Sequence, residues 1–245
     1  MTDKARILAR LAYLVAADDQ REALAGRLAE ACRLILAVSG AAITVENTTM
    51  ERMTLCATSD DAARLEDLQE VLGEGPSHDA FTSATAVITA LDDAEGRWPE
   101  FTAAARRAVG EVTVHAMPMR PGGEVIGVLS LYRVPGPSAQ PMEGAQPMEG
   151  AQPLEGAQFL ADAVGAALLS ETPHAEAAGD DGPWATRAEI HQATGMVTAQ
   201  LGLHPEDALA ILRAHAFAHD TSLAGIARQV VTRRLDFGKE SSDSL

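Results

Sequence analysis

Three narrow apolar stripes near the end of the chain leave that region few ways to fold. Ile190, Ala193, Val197 and Leu201 recur at intervals of three and four. So do Leu209, Leu212 and Ala216, and then Leu223, Ile226, Ala227, Val230 and Val231. Each set makes one face of a helix with 3.6 residues per turn. The punctuation agrees. Thr186 and Glu189 have capping-box spacing, with Thr186 as N-cap. Gly202 stops the first helix, Pro205 suits the first turn of the second, and Thr221 or Ser222 can cap the third. Residues 184–238 are therefore predicted to be an all-α unit of three helices around one small core.

Beyond the stripes, three strings of residues stand in a fixed order. R-x-x-I-x-Q-A-x-G-M runs over Arg187 to Met196, P-E-D-A-L-x-x-L-R-x-x-A over Pro205 to Ala216, and L-x-x-I-A-x-x-V-V over Leu223 to Val231. Together they resemble the ANTAR domain, a three-helix RNA-binding module of bacterial antiterminators. The family usually carries Lys after the Gln-Ala pair, where this chain has Thr194. A charged contact is not carried over to that position.

Charge separates this stretch from the rest. The chain is acidic, with a net charge of −16 over 245 residues, and acidic chains are poor general binders of nucleic acid. Residues 1–183 hold 13 basic and 28 acidic side chains, whereas residues 184–245 hold 6 and 7. Lysine occurs only at Lys4 and Lys239. That excludes a phosphate-binding loop ending in Gly-Lys, and a receiver domain, which uses an internal lysine. Cys32 and Cys56 make neither a disulfide framework nor a zinc site, and fit a reducing cytoplasm. No stretch reaches the roughly 18 apolar residues of a membrane span.

In the first part of the chain, hairpin-spaced strands alternate with helices. Residues 3–38 read as helix, broken near Ala17-Asp18-Asp19. Residues 41–48 and 52–58 read as paired strands, 61–72 as helix, 86–90 as a strand and 98–109 as helix. Two more strands, 112–119 and 124–133, flank the turn signal Arg120-Pro121-Gly122-Gly123, and 156–169 is helical. This predicts an α+β unit, an antiparallel sheet covered by helices. The matching residues are L-G-E-G-P at 72–76 with Asp79-Ala80, the strand around Val87, R-W-P-x-F at 97–101, A-M-P-M at 116–119 and I-G-V-L-S-L-Y at 126–132. They resemble the GAF domain, a small-molecule sensor fold, and GAF units of this kind commonly precede ANTAR domains. Many relatives have Cys after the Gly-Pro pair. Ser77 stands there in this chain, so thiol sensing at that position is not available.

The expected layout is a GAF-like unit over 1–170, an acidic Gly/Pro-containing linker over 171–183, an ANTAR-like unit over 184–238 and a tail over 239–245. Residues 141–158 repeat PMEGAQ, PMEGAQ, PLEGAQ, and a proline every six residues forbids one helix through all three copies. The repeat is expected to lie in a loop before the last helix of the GAF-like unit.

Candidate chemistry is sparse. His78 and His115 lack a second ligand at metal spacing, so no metal site is assigned. Cys56 reads as core packing, since a redox thiol favours electropositive surroundings and Asp60 and Asp61 are near it in sequence. No catalytic constellation is visible and no cofactor follows. Gly73, Gly75, Pro76 and Ser77 either shape a loop over a small ligand or make a helix end and a turn. In the ANTAR-like unit the helix period puts Arg187, Thr194 and Thr198 on one strip beside the first stripe. Arg213 and His215 flank the second, and Arg228 lies off the third. These six are the candidate RNA contacts, because arginine pairs with phosphates and stacks on splayed bases.

The two resemblances imply a cytoplasmic, homodimeric antiterminator rather than an enzyme or a membrane protein. Its ANTAR-like units each take one loop of paired RNA stem-loops, under control of the GAF-like unit and its small-molecule ligand, if it has one. An alternative of another class stays open: a ligand-sensing or protein-interaction module whose three helices only dimerise. Thr194 and the near-zero charge of the last 62 residues lean that way.

Overall fold

The computed structural model describes residues 3–17, 23–46, 52–91, 96–134, 151–170 and 183–240. The chain divides into two compact units, one built from most of residues 1–175 and the other mainly from residues 176–245. In the first unit, α1 (Asp3–Ala17) and α2 (Leu24–Leu36) precede the strands β1 (Gly40–Glu46) and β2 (Arg52–Ala57). Helices α3 (Asp60–Leu72) and α4 (Pro76–Ser83) lead to β3 (Val87–Ala90). Helix α5 (Pro99–Val109) leads to β4 (Thr113–Met119), and β5 (Gly127–Arg133) precedes α6 (Ala151–Ser170). The sheet is antiparallel throughout, in the order β2-β1-β5-β4-β3.

Register decides which residues share a face, because directly opposed residues project to the same side. Ile43 lies opposite both Cys56 and Leu129, and Leu129 opposite Met117. With Leu131 and Met119 these residues make an apolar face. It is covered by Ile7 and Leu11 of α1, Leu28, Cys32 and Ile35 of α2, and Leu160 and Val164 of α6. The intervening residues Ala42, Thr44, Ser130 and Tyr132 take the other face, against which α4 packs. That second face mixes buried Val114, Ala116 and Val128 with polar side chains, and holds the hydrogen-bond cluster described below.

The predicted elements match the observed ones, with five differences. Residues 76–83, to which no element was assigned from the sequence, are a helix with Pro76 in its first turn. The strand expected from 124 begins at Gly127, whose Cβ, if it had one, would lie 2.3 Å from the Thr44 carbonyl oxygen. The repeat does not stay in a loop through 158, because α6 starts at Ala151 and takes in the whole third copy. Pro153 falls in the first turn, where its missing N–H costs no helical bond. In the same copy Ala157 is buried, and Gln158 Nε2 donates to Pro118 O at 2.7 Å and Asp162 Oδ1 at 3.0 Å. Residues 141–150 of the repeat and 171–182 of the expected linker lie outside the described residues.

The fourth and fifth differences are in the second unit. Its helices are α7 (Pro183–Leu201), α8 (Pro205–Ala218), α9 (Leu223–Val231) and the short α10 (Phe237–Glu240). Helix α7 begins at Pro183, so Thr186 lies inside it rather than capping it. Gly202, at φ +67°, closes α7 by donating to Thr198 O at 2.9 Å, and Ser222 Oγ caps α9 by accepting from Gly225 N at 3.1 Å. The three stripes meet as expected: Ile190, Ala193, Val197, Ala208, Leu212, Ala216, Leu223, Ile226, Ala227 and Val230 are all buried. Leu235 and Phe237 join them from beyond α9, and α10 runs to Glu240, past the expected start of the tail.

Leu212 is fully buried at the centre of this small core. Leu212→Ala is expected to destabilise the second unit by about 2–5 kcal/mol, the range for a leucine-sized cavity, measured by urea denaturation followed by far-UV circular dichroism.

Candidate functional site

Two sets of polar side chains stand out, one in each unit. In the second unit they lie at the rim of the three-helix core. On α7, Arg187 Nε donates to His191 Nε2 at 3.2 Å, one turn further along. Thr194 Oγ1 donates to Ile190 O of its own helix at 2.8 Å. Thr198 Oγ1 is buried with no hydrogen-bond partner among the described residues. Arg213 of α8 is half-buried, with Nε out of contact with solvent. His215 is half-buried too. Its ring stacks on His219 at 4.1 Å between centroids and meets the Phe237 ring edge-on at 5.1 Å. Arg228 of α9 is exposed, and its Nε donates to Glu189 Oε2 of α7 at 3.3 Å.

The six candidate contacts do not form one cluster. The helix period puts Glu189 on the opposite flank of the Ile190 stripe from Arg187, Thr194 and Thr198. Arg228, held by Glu189, therefore sits across α7 from that strip. Arg213 and His215 likewise flank α8 on opposite sides. Sequence reasoning passed over four partners of these residues: His191, Glu189, His219 and Phe237. The i,i+4 spacings of Arg187 with His191 and of His215 with His219 were available as signals. The α7–α9 pairing and the fold-back of Phe237 were not.

In the first unit the polar side chains are interior. Arg52 of β2 donates through Nη2 to Glu66 Oε2 of α3, and to Ser77 Oγ of α4 at 2.6 Å. Glu66 Oε2 also accepts from Thr44 Oγ1 at 3.0 Å, and Glu66 Oε1 from the Tyr132 hydroxyl at 2.5 Å. Gln69 Oε1 accepts from both the backbone N and the Oγ of Ser77, each at 2.8 Å. Glu46 stands 3.9 Å from Arg52 Nη1, and His78 Nδ1 is 3.7 Å from Glu46 Oε1. Burial, then the Glu66 charge beside it, pushes the Tyr132 hydroxyl well above the usual phenol range, so it stays a donor.

The segment singled out for ligand binding runs into this cluster. Gly73 has open space where a side chain would begin. Gly75, at φ +140°, presses on Gln69 so closely that a Cβ would lie 2.6 Å from its Cγ, which leaves room for glycine alone. Pro76 is buried in the first turn of α4, and Ser77 is fully buried with both polar groups engaged on Gln69. His115 is elsewhere, on the apolar face opposite Leu131. Among the described residues no group of three or more His, Cys, Asp or Glu side chains could hold a metal ion, and no helix is long and apolar enough to cross a membrane.

A family model, the ANTAR domain, matches residues 184–231. Those residues are an ANTAR domain. The match ends at the last residue of α9, so Leu235, Phe237 and α10 are additions to the ANTAR helices that still pack into their core. No curated protein matches the chain. Among solved structures, similarity is found to a domain assigned to a two-component sensor histidine kinase of Sinorhizobium meliloti. Identity is 16%, the TM-score 0.44, and coverage 62% of this chain and 94% of that one. A GAF domain from A. aeolicus, in an inactive state, gives 13%, 0.43, 66% and 90% for the same measures. Scores this low carry no argument; the antiparallel fold of the first unit rests on its own strand order and register. ANTAR is a regulatory family and not a catalytic one.

Two expectations follow for the first unit. Removing Arg52 leaves Glu66 buried beside Glu46 without that cation, so Arg52→Leu is expected to destabilise by about 3–5 kcal/mol. In the double variant with Glu66→Gln the loss should be smaller than the sum of the two single losses, in a urea-melt double-mutant cycle. The second concerns acid. Burial, and then the charge of Arg133, lower His115 from the model-peptide 6.5 to about 4. Between those values the unfolded chain binds the proton and the folded chain does not, so His115 contributes a loss of stability as pH falls from about 6.5 to 4. His115→Gln should flatten the pH dependence of the urea midpoint in that window.

Proposed function

We propose that this protein is a signal-responsive transcription antiterminator of the bacterial cytoplasm. It acts as a homodimer, binding the hairpin loops of nascent RNA through its ANTAR domain under control of the GAF-like first unit. The observation that carries the reading is the ANTAR match over a compact helical unit whose apolar stripes are all consumed in its own core. Cationic side chains lie outside the stripes: Arg187 and Arg213 half-buried, and Arg228 exposed. Such side chains suit an RNA loop, where unpaired bases offer faces to stack on and phosphates to pair with. Thr194, Thr198 and His215 complete the proposed contact set. Each domain takes one loop, so the dimer reads two stem-loops at once.

The input reaches the first unit at Gly73, Gly75, Pro76 and Ser77. This segment runs from the end of α3 into α4, and its buried Ser77 belongs to the Arg52–Glu66–Gln69 cluster. A small ligand seated there would compete for the hydrogen bonds of Ser77 and shift α4 against the sheet.

Filter binding of the full chain with two-hairpin RNA and with matched duplex DNA tests the RNA reading. Arg213→Ala is expected to weaken RNA binding by about 1–3 kcal/mol, the scale of one stacking contact, with the circular dichroism spectrum unchanged. Arg187→Ala should act the same way but less strongly. Thr194→Lys should strengthen binding and steepen its salt dependence. Absence of binding to any two-hairpin RNA at low salt would sink this reading and leave the dimerising, protein-interaction module in its place.

A further inference from the structure

We infer that Cys32 and Cys56 form a redox modification site, at which a hydroperoxide converts the two thiols into a disulfide tying α2 to the sheet-edge strand β2. They are the only cysteines of the chain, and the fold brings both into one place from separate elements. Cys56 lies opposite Ile43, so it projects to the apolar face of the sheet. Helix α2 packs across β1 and β2 on that face. Cys32 is fully buried in the cluster formed there, and Cys56 packs against the same cluster while keeping part of its surface exposed. Both are thiols in this structure.

Burial, reinforced by the charge of a Cys56 thiolate, pushes the Cys32 thiol up to about 12. The exposures divide the work. Cys32 is closed to solvent and stays protonated. Among the described residues Cys56 sits on a strand with β1 on one side and no further strand of the sheet on the other, where a small oxidant can reach it. The β1–β2 ladder also shifts register between Ile43 and Thr44, next to Cys56, and a bulge lets an edge strand adjust its path.

The chemistry balances in two steps. The Cys56 sulfur attacks the hydroperoxide and breaks its O–O bond, giving a sulfenic acid and, for hydrogen peroxide, one water. The Cys32 sulfur then attacks the sulfenic sulfur. The S–O bond breaks, and the hydroxyl leaves with the Cys32 proton as a second water. Both cysteines are oxidised by one equivalent each, and one peroxide is reduced to two waters. Asp60 and Asp61 follow Cys56 closely in the chain and disfavour its thiolate, so the reaction is slow and needs excess oxidant.

The test uses the full chain and hydrogen peroxide. After treatment of the folded protein, quenching and alkylation in denaturant, the intact mass should fall by two hydrogens with no alkyl group taken up. A non-reducing peptide map should join the Cys32 peptide to the Cys56 peptide, and dithiothreitol should restore both thiols. In Cys32→Ala, Cys56 should be trapped by dimedone as the sulfenic acid; in Cys56→Ala, Cys32 should remain a thiol. Any of three results in the unmodified chain overturns the inference: two alkyl groups taken up after peroxide, sulfinate at Cys56 with Cys32 untouched, or covalent dimers through Cys56 alone. The peptide map of the unmodified chain decides the matter even if a variant does not fold.

Discussion

The Glu66 carboxylate is the group on which the polar side of the first unit depends. It is 1% exposed, and a carboxylate removed from water is tolerated only when its charge and its lone pairs are answered. Here the answers come from three strands: Arg52 on β2, Thr44 on β1 and Tyr132 on β5. Those strands are neighbours only because the sheet has the order β2-β1-β5. The same arginine reaches Ser77, and Ser77 reaches Gln69, so α3 and α4 are placed on the sheet by directional bonds. Apolar contact alone would allow these helices to slide; a hydrogen-bond set drawn from five elements does not.

The two faces of that sheet thus hold their helices by different physics. Helices α1, α2 and α6 are attached by apolar burial, which is strong and tolerant of exchange between similar side chains. Helices α3 and α4 bury Ala62, Leu65 and Ala80 as well, but they are also tied by charge and hydrogen bonds, which are intolerant of a missing partner. A change of ligand, charge or protonation acts more sharply on the second kind of attachment.

The ANTAR domain contrasts with both. Its core is alanine, leucine, isoleucine and valine, with small residues such as Ala193 and Ala227 buried where α7 and α9 pack. The ion pair between Glu189 and Arg228 is largely solvent-exposed, and pairs of that kind contribute about 0–1 kcal/mol. The stability of the domain therefore lies inside it, and its rim side chains can change partner at little cost to the fold.

The amino-acid sequence determined by itself the elements whose burial is periodic. The three stripes of the ANTAR domain, the Gly202 and Ser222 boundaries and the strand pairs of the sheet follow from local spacing and turn chemistry, which act over a few residues. The same logic failed where a local signal had two readings. Pro76 and Pro153 read as breaks, yet each stands in the first turn of a helix, where proline is at home. Only the tertiary structure decided that Glu66 meets Arg52 and Tyr132, that Arg228 crosses to Glu189, that Phe237 folds back on His215, and that Cys32 lies beside the strand of Cys56. Each of these joins residues from different elements. Strand order and helix packing set such distances, and they are outcomes of burying the whole chain at once, which no short window of sequence contains.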